Sequence, residues 1–364
     1  MVHCRRFLHP VVRFVDLIMR IGCVFAFFAF ACLATLAHAA DPAVRSLKLS
    51  GAIEGIHDPA IIKEGDTWYL FSTRTSRSED GELPIHCSRD LREWRDCGWA
   101  LPGIPDWIKT QSPATKNLWA PDISYFNGFY HLYYAFSAFG VNTSGIALLT
   151  NKTLDPKSRD YRWHDEGLVL ESKKDDDFNA IDPNLVLDGK GSGWLAFGSF
   201  WGGIKMRRID VKTGKLSERD STLYSLASRS KPADAAPAKP GLPPAWQAIE
   251  APFVLRHGKY FYLFVSYDLC CRGPRSTYKI AVGRGRAVTG PYLDKAGKPM
   301  TEGGGTVILE GNDRWAGPGG QSAFAEADNQ IMVFHAYDRK TGKPSLQISA
   351  IGWKRGWPEL ASGQ

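Results

Sequence analysis

The chain is poor in the signals that mark most functional classes. No Cys-x-x-Cys pair and no grouping of Cys with His occurs, so the spacing of a zinc site is missing. Helical periodicity is almost absent. Charge of one sign is scarce too: 45 Lys and Arg face 38 Asp and Glu, a net +7 spread along the chain. That balance is too mild and too scattered for a nucleic-acid partner. The one extended apolar run, from Ile21 to Leu36, is too short and wrongly flanked for a membrane span.

Met19-Arg20 leads into that run and Ala37-His38-Ala39 closes it with a small-x-small cleavage site, the layout of a secretory signal peptide. Residues 1–39 are therefore read as a leader and 40–364 as one domain, with Met19 as a second candidate start. Removing the leader takes away four Arg and one Asp, which lowers the net charge from +7 to +4. The mature protein is expected to be exported, periplasmic or extracellular, free of the membrane and monomeric. Four cysteines remain, Cys87, Cys97, Cys270 and Cys271, and export permits disulfides. Cys87 and Cys97 are close enough in sequence to bridge across a turn. For Cys270-Cys271, two small buried thiols are preferred over a strained vicinal bridge.

What the chain does carry is a repeat. His57-Asp58-Pro59, Ala120-Pro121-Asp122, Ile181-Asp182-Pro183, Glu250-Ala251-Pro252 and Gly317-Pro318-Gly319 recur at nearly even spacing. Measured through Asp58, Asp122, Asp182, Glu250 and Pro318, the steps are 64, 60, 68 and 68 residues. A period that long marks one structural unit repeated. Each landmark is followed by a hairpin signal such as Asn127-Gly128 or Gly258, and by an aromatic and β-branched strand such as Tyr260-Phe261-Tyr262-Leu263-Phe264-Val265. Five all-β units, each long enough for four strands, describe a five-bladed β-propeller. The repeat is too long for the WD type and lacks its Trp-Asp ends. Four landmarks bear a carboxylate, and the first strand of each blade lines the axis, so a ring of acids there is a candidate active site. Arg229 to Trp246, rich in Pro and Ala, breaks the pattern and reads as an extended surface loop between blades three and four. It is placed to shape one rim of a cleft, although an inert insertion is the plainer reading.

His57-Asp58-Pro59, Trp119-Ala120-Pro121-Asp122, Asn179-Ala180-Ile181-Asp182-Pro183, Gly198-Ser199-Phe200-Trp201-Gly202-Gly203 and Ile249-Glu250-Ala251-Pro252 together resemble glycoside hydrolase family 43, and within it the endo-α-1,5-L-arabinanases. Tyr267-Asp268-Leu269-Cys270-Cys271-Arg272-Gly273 and His335-Ala336-Tyr337-Asp338 strengthen the narrower likeness, which runs from about Leu47 to Pro358. The resemblance implies hydrolysis of arabinan, including pectin side chains, with no cofactor required. It assigns Asp58 as general base, Glu250 as general acid, and Asp182 as the residue that orients the acid and raises its pKa. Independently of the name, cleaving a glycosidic bond needs an acid for the leaving oxygen and a second carboxylate opposite. Carboxylates roughly 6.5–9.5 Å apart leave room for a water and invert the anomeric centre. Asp122 is better read as scaffolding that ties the Trp119 loop.

By the same resemblance, Asn179, Ala180, Ile181 and Asp182 line the central sugar subsite with Ser199, Phe200 and Trp201, and Asp58 contributes there as well. Phe139 and Gly140 lie beside them, the glycine letting backbone approach the sugar. Trp119 and Phe139 offer flat faces for furanose C–H surfaces. Asn142-Thr143-Ser144 matches a glycosylation sequon and is discounted. Many arabinanases carry a His after the fifth landmark that helps hold an axial calcium; here Gly320 takes its place, so no metal ligand is assigned. A structural calcium would have to be held through water, with help from Gln321. His131 and His335 read as satisfied core or channel histidines. Two other functions compete: an exo-acting α-L-arabinofuranosidase or β-xylosidase on the same fold, and a propeller that binds arabino-oligosaccharides without cleaving them. The second requires loss of the acid or base, and both residues are present.

Overall fold

A computed structural model describes residues 46–361 except 76–79, 240–241 and 327–328. The leader assigned above falls outside the described residues. Among those described, no helix is long and apolar enough to cross a membrane.

Five sheets are arranged as the blades of a propeller, antiparallel except where Ser50–Gly51 pairs in parallel with Glu93–Leu101, and Gly352–Lys354 and Trp357–Glu359 form a separate hairpin. Blade one orders His57–Glu64, Thr67–Thr73, Glu82–Ser88 and Glu93–Leu101 outward from the axis, and blade two Leu118–Phe126, Phe129–Phe136, Ser144–Asn151 and His164–Ser172. Blade three runs Asn184–Leu187, Gly193–Phe197 and Ile204–Asp210, with its outer edge split between Lys215–Leu216 and Tyr224–Ala227. Blade four is Ile249–His257, Tyr260–Tyr267, Lys279–Gly285 and Thr306–Leu309. Blade five has three strands, Trp315–Glu326, Asn329–Asp338 and Pro344–Ala350. Its outer edge is met by the start of the described chain: Leu47 N–H bonds to the Ile348 carbonyl and Leu346 N–H to that of Ile53, both at 2.9 Å. The first residues thus close the ring on the last blade.

The apolar runs are near-continuous, not alternating, because each blade is covered on both faces. Ile331 and Val333 pack with Ile61, Leu70 and Trp94 of blade one, whereas Met332 and Phe334 pack with Leu255, Tyr262 and Phe264 of blade four. Similar cores fill the gaps between blades one and two, two and three, and three and four. Each such Phe, Leu or Ile buried contributes about 1.5–3 kcal/mol. The ring is therefore held by side-chain layers between blades, which leaves the axial ends of the inner strands free for chemistry.

The landmarks have a common backbone cause. Asp58, Ala120, Asp182, Ala251 and Gly317 all have φ between +42° and +56°, and each precedes a proline. Proline cannot donate to a ladder and pushes the residue before it out of the right-handed helical region. Register breaks follow at His57/Ala60, Trp119/Asp122, Glu250/Phe253 and Ala316/Gly319. The landmark is thus a bulge that re-aims side chains toward the axis. Aligned on the prolines, Asp58 and Asp182 are equivalent to Ala120 and Ala251. The alignment through Asp122 and Glu250 is corrected by two residues in one case and by one in the other.

Candidate active site

Asp58, Asp182 and Glu250 meet in one cleft of about 510 Å³ at the end of the axis. Loops from several blades wall it: Trp119, Phe139, Gly140 and Val141 from blade two, Asn179, Ile181, Ser199, Phe200 and Trp201 around blade three, and Leu269 to Arg272 from blade four. Phe139 is 78% exposed, as a stacking platform must be, and Gly140 takes φ +85°. Phe200 and Trp201 adopt φ of +52° and +43° in a turn pinned by Phe200 N–H to the Ile249 carbonyl at 2.9 Å. Such backbone outliers cluster where surrounding structure forces a functional geometry.

Not every expected contact faces the cleft. Ala180 is fully buried between blades two and three, its N–H bonded to Ser172 Oγ at 2.8 Å, and takes no place on the wall. Asn142 is buried as well; its amide donates to the carbonyls of Lys173 and Asp176 at 3.1 and 3.0 Å, so it staples the Phe139 loop. Ala236, Pro237, Lys239, Leu242, Pro243 and Ala245 of the Pro/Ala-rich segment line the cleft, which overturns its reading as an inert insertion. Its root is fixed by Arg229, 3.3 Å from Asp268 and over the Tyr267 ring. The Cys87–Cys97 bridge is formed as its spacing allowed, whereas the reading of Cys270 and Cys271 as two buried thiols is overturned. Cys270 and Cys271 are bridged to each other and neither is buried, while Cys87 bridges Cys97 across neighbouring strands of blade one.

The three carboxyls have different surroundings. Asp58 Oδ2 accepts from Thr73 Oγ1 at 2.7 Å and His57 Nδ1 at 2.8 Å. Burial works against its ionised form, but His57, by its field and its hydrogen bond, helped by His335 and Thr73, outweighs burial and holds the carboxyl at about 2. Glu250 is buried, with Oε2 accepting from Ser199 Oγ at 2.6 Å and Oε1 from the Tyr278 hydroxyl. Burial pushes it up to about 7; the Ser199 hydrogen bond pulls it back and the Asp58 charge adds to the rise. Asp182 is raised well above the carboxylate range by burial, then by the charges of Glu250 and Asp58. Its Oδ2 accepts the Ala251 N–H at 2.9 Å, which anchors the backbone that carries Glu250. Two like groups so close favour retaining a proton between them near neutral pH.

Asp122 takes no part in this cleft wall. Its oxygens accept from Asn184 Nδ2 at 3.0 Å and Leu185 N–H at 2.8 Å, and Asn184 Oδ1 accepts from Val254 N–H at 2.8 Å. It links the inner strands of blades two, three and four, a scaffold role different from the expected tie to the Trp119 loop. His57, Thr73, Tyr278, His335 and Tyr337 complete the site and carried no assigned role from sequence. The available signals were the position of His57 beside Asp58 and the His335-Ala336-Tyr337-Asp338 motif.

Among the described residues, His57, Asp58 and His335 form the one cluster of three ligand-type side chains. Three of the four ring nitrogens are engaged, and His335 Nε2 is buried with no hydrogen-bond partner. His57 faces Asp58 through Nδ1 and Tyr337 Oη through Nε2 at 2.7 Å, and His335 Nδ1 accepts Asp58 N–H at 3.2 Å. This assigns the His335 proton to Nε2, where it offers no lone pair to a cation. Burial, and His57 beside it, hold His335 well below the usual imidazole pKa, so its 3.7 Å approach to Asp58 joins a neutral ring to a carboxylate. A Cβ at Gly320 would lie 2.5 Å from Asp58 Oδ1 and 2.8 Å from the His335 ring. Gln321 is spent on the Ala251 carbonyl at 2.6 Å and on Ser266 at 2.9 Å. Calcium seeks six to eight oxygens; these side chains do not fit it.

Comparison with known proteins agrees with this geometry. The family model described as glycosyl hydrolases family 43 matches residues 53–358. The extracellular exo-α-(1→5)-L-arabinofuranosidase of Cellvibrio japonicus is 43% identical over 309 residues, 84% of this chain and 86% of that protein. The extracellular endo-α-(1→5)-L-arabinanase 1 of Bacillus subtilis is also 43% identical, over 84% of this chain and 87% of that one. A solved endo-arabinanase from Bacillus licheniformis superposes with a TM-score of 0.75 at 44% identity, covering 86% of this chain and all of the other. The chain belongs to glycosyl hydrolases family 43.

Proposed function

We propose that the protein is an exported glycosidase that cleaves α-1,5-L-arabinan internally, with inversion at the anomeric carbon. The observation that carries this reading is the divergence of three carboxyls in one cleft: Asp58 held at about 2, Glu250 at about 7, and Asp182 raised beside it. A base must be ionised and an acid protonated at the same pH, and this arrangement supplies both.

Asp58 Oδ2 is taken by His57 and Thr73, which leaves Oδ1 for the attacking water. Gly320 keeps the space beside Oδ1 clear, since any side chain there would collide with it. Water, polarised by Asp58, attacks the anomeric carbon and transfers its proton to that carboxylate. Glu250 gives its proton to the departing oxygen, and Asp182 holds the acid through the Ala251 N–H. Trp119, Phe139, Phe200 and Trp201 receive the apolar faces of the furanose rings. The relatives named for extracellular arabinan-cleaving activity support both the substrate and export, and the substrate partner is the polysaccharide.

An exo-acting α-L-arabinofuranosidase is the second reading, favoured by the equally similar exo relative and by the 236–245 segment, which walls one side of the cleft. Timed digestion of linear α-1,5-arabinan with products resolved by size separates them. A ladder of oligosaccharides supports internal cleavage; arabinose alone from the first time point overturns it.

A further inference from the structure

The Cys270–Cys271 bridge lies where the cleft wall meets the hydrogen-bond network of Asp58. Cys271 N–H donates to Tyr337 Oη at 3.0 Å, and Tyr337 Oη is 2.7 Å from His57 Nε2. A peptide N–H only donates, so Tyr337 accepts there and has its own proton free for His57 Nε2. His57 Nδ1 faces the Asp58 carboxylate and so carries a hydrogen, which goes to Asp58 Oδ2 at 2.8 Å. His57 also stacks on His335 at 3.7 Å, and His335 receives the Asp58 N–H, so the base is gripped by side chain and backbone together.

Cys271 itself has φ +65°, unusual for a residue with a side chain, and is exposed on the cleft wall. Its N–H bonds Tyr337 and its Sγ lies 3.9 Å from His57 Nε2; the bridge to its neighbour closes a small ring through the intervening peptide and restricts that backbone directly. We propose that the Cys270–Cys271 disulfide is a positioning element for Asp58, acting through the Cys271 N–H, Tyr337 and His57. The proposal rests on the reading of Asp58 as the base. The other charged or titratable groups facing this network are Asp182, Glu250 and Tyr278, and none touches the link from Cys271 to His57.

Dithiothreitol supplies the perturbation. It delivers two electrons and two protons, the S–S bond opens to two thiols, and the reductant closes to its own cyclic disulfide. Iodoacetamide labelling and peptide mass identify whether the 270–271 pair or the 87–97 pair has opened. Reduction of Cys270–Cys271 is expected to lower kcat on linear arabinan about tenfold with KM within about twofold, since misaligned reacting groups cost rate more than binding. Tyr337→Phe should cause the same loss, and reducing that variant should add little, because residues acting through one chain are not additive. The double variant Cys270→Ala/Cys271→Ala repeats the test without a reductant. An unchanged kcat, a change confined to KM, or losses that multiply overturn the proposal. Asp58→Asn is run alongside: if it retains full activity, the base assignment has failed, which is a different outcome from a disulfide without effect on an enzyme that needs Asp58.

Discussion

Ser199→Ala gives a signed test of how the acid is tuned. The Ser199 hydroxyl donates to Glu250 Oε2 at 2.6 Å in a buried setting, and this bond pulls the Glu250 pKa down from where burial would put it. A hydrogen bond to a charged partner contributes about 1.5–3 kcal/mol, and one to a neutral partner about 0.5–1.5 kcal/mol. The difference, about 1.4 kcal/mol, corresponds to about one pKa unit. Removing the hydroxyl should therefore lift the acid from about 7 to roughly 8. Activity requires Glu250 protonated, so the alkaline limb of kcat/KM moves upward with it. At pH 8 the protonated fraction goes from about one tenth to about one half, so the ratio of activity at pH 8 to that at pH 6 rises about fivefold. The assay is kcat/KM for an arabino-oligosaccharide across pH 5–9 for both proteins, each normalised to its own plateau. A limb that stays in place, or moves down, refutes the hydrogen bond as a determinant of the acid's proton affinity.

Glu250→Gln should abolish hydrolysis, by about 100-fold or more, and leave oligosaccharide binding by calorimetry intact. Its stability carries a sign as well: a carboxyl raised on folding adds stability below its unfolded pKa and loses it as pH rises through the folded value. From pH 4.5 to about 7 that loss is about 3 kcal/mol, so Glu250→Gln should melt higher than the parent at pH 8 and not at pH 4. Asp122→Ala should cost about 2–5 kcal/mol in urea unfolding, because the Asn184 amide and Leu185 N–H are left unpaired, with kcat unchanged. Replacing residues 232–243 by a short Gly-Ser link should raise KM with little effect on kcat, since this stretch touches the cleft and not the carboxyls.

The propeller was legible because its cause is periodic. Paired apolar runs and hairpin turns recur in each blade, and every landmark holds a proline after a left-handed residue. The carboxyls that meet in the cleft were legible through their motifs. Their equivalence was not: Glu250 precedes the bulge residue Ala251, and Asp122 follows Ala120 by two, distinctions visible only in φ and register. Ala180 reads as a contact by its place in a motif, yet the loop that carries it is tied to Ser172 Oγ and turns it into the core. Tyr337 reaches His57 from 280 residues along the chain and Tyr278 reaches Glu250 from just before the strand Lys279–Gly285, pairings that the motifs alone do not show. The Pro/Ala-rich segment has no period to read, so its place on the cleft wall followed from where blades three and four end, not from its composition.

Proton NMR of the first product tests the central claim most directly. If Asp58 drives water onto the anomeric carbon while Glu250 protonates the departing oxygen, the reducing end released from an α-linked arabinan must appear first as the β-anomer, with the α-anomer growing in by mutarotation. Initial appearance of the α-anomer would require a covalent intermediate on one of these carboxylates and would contradict the account.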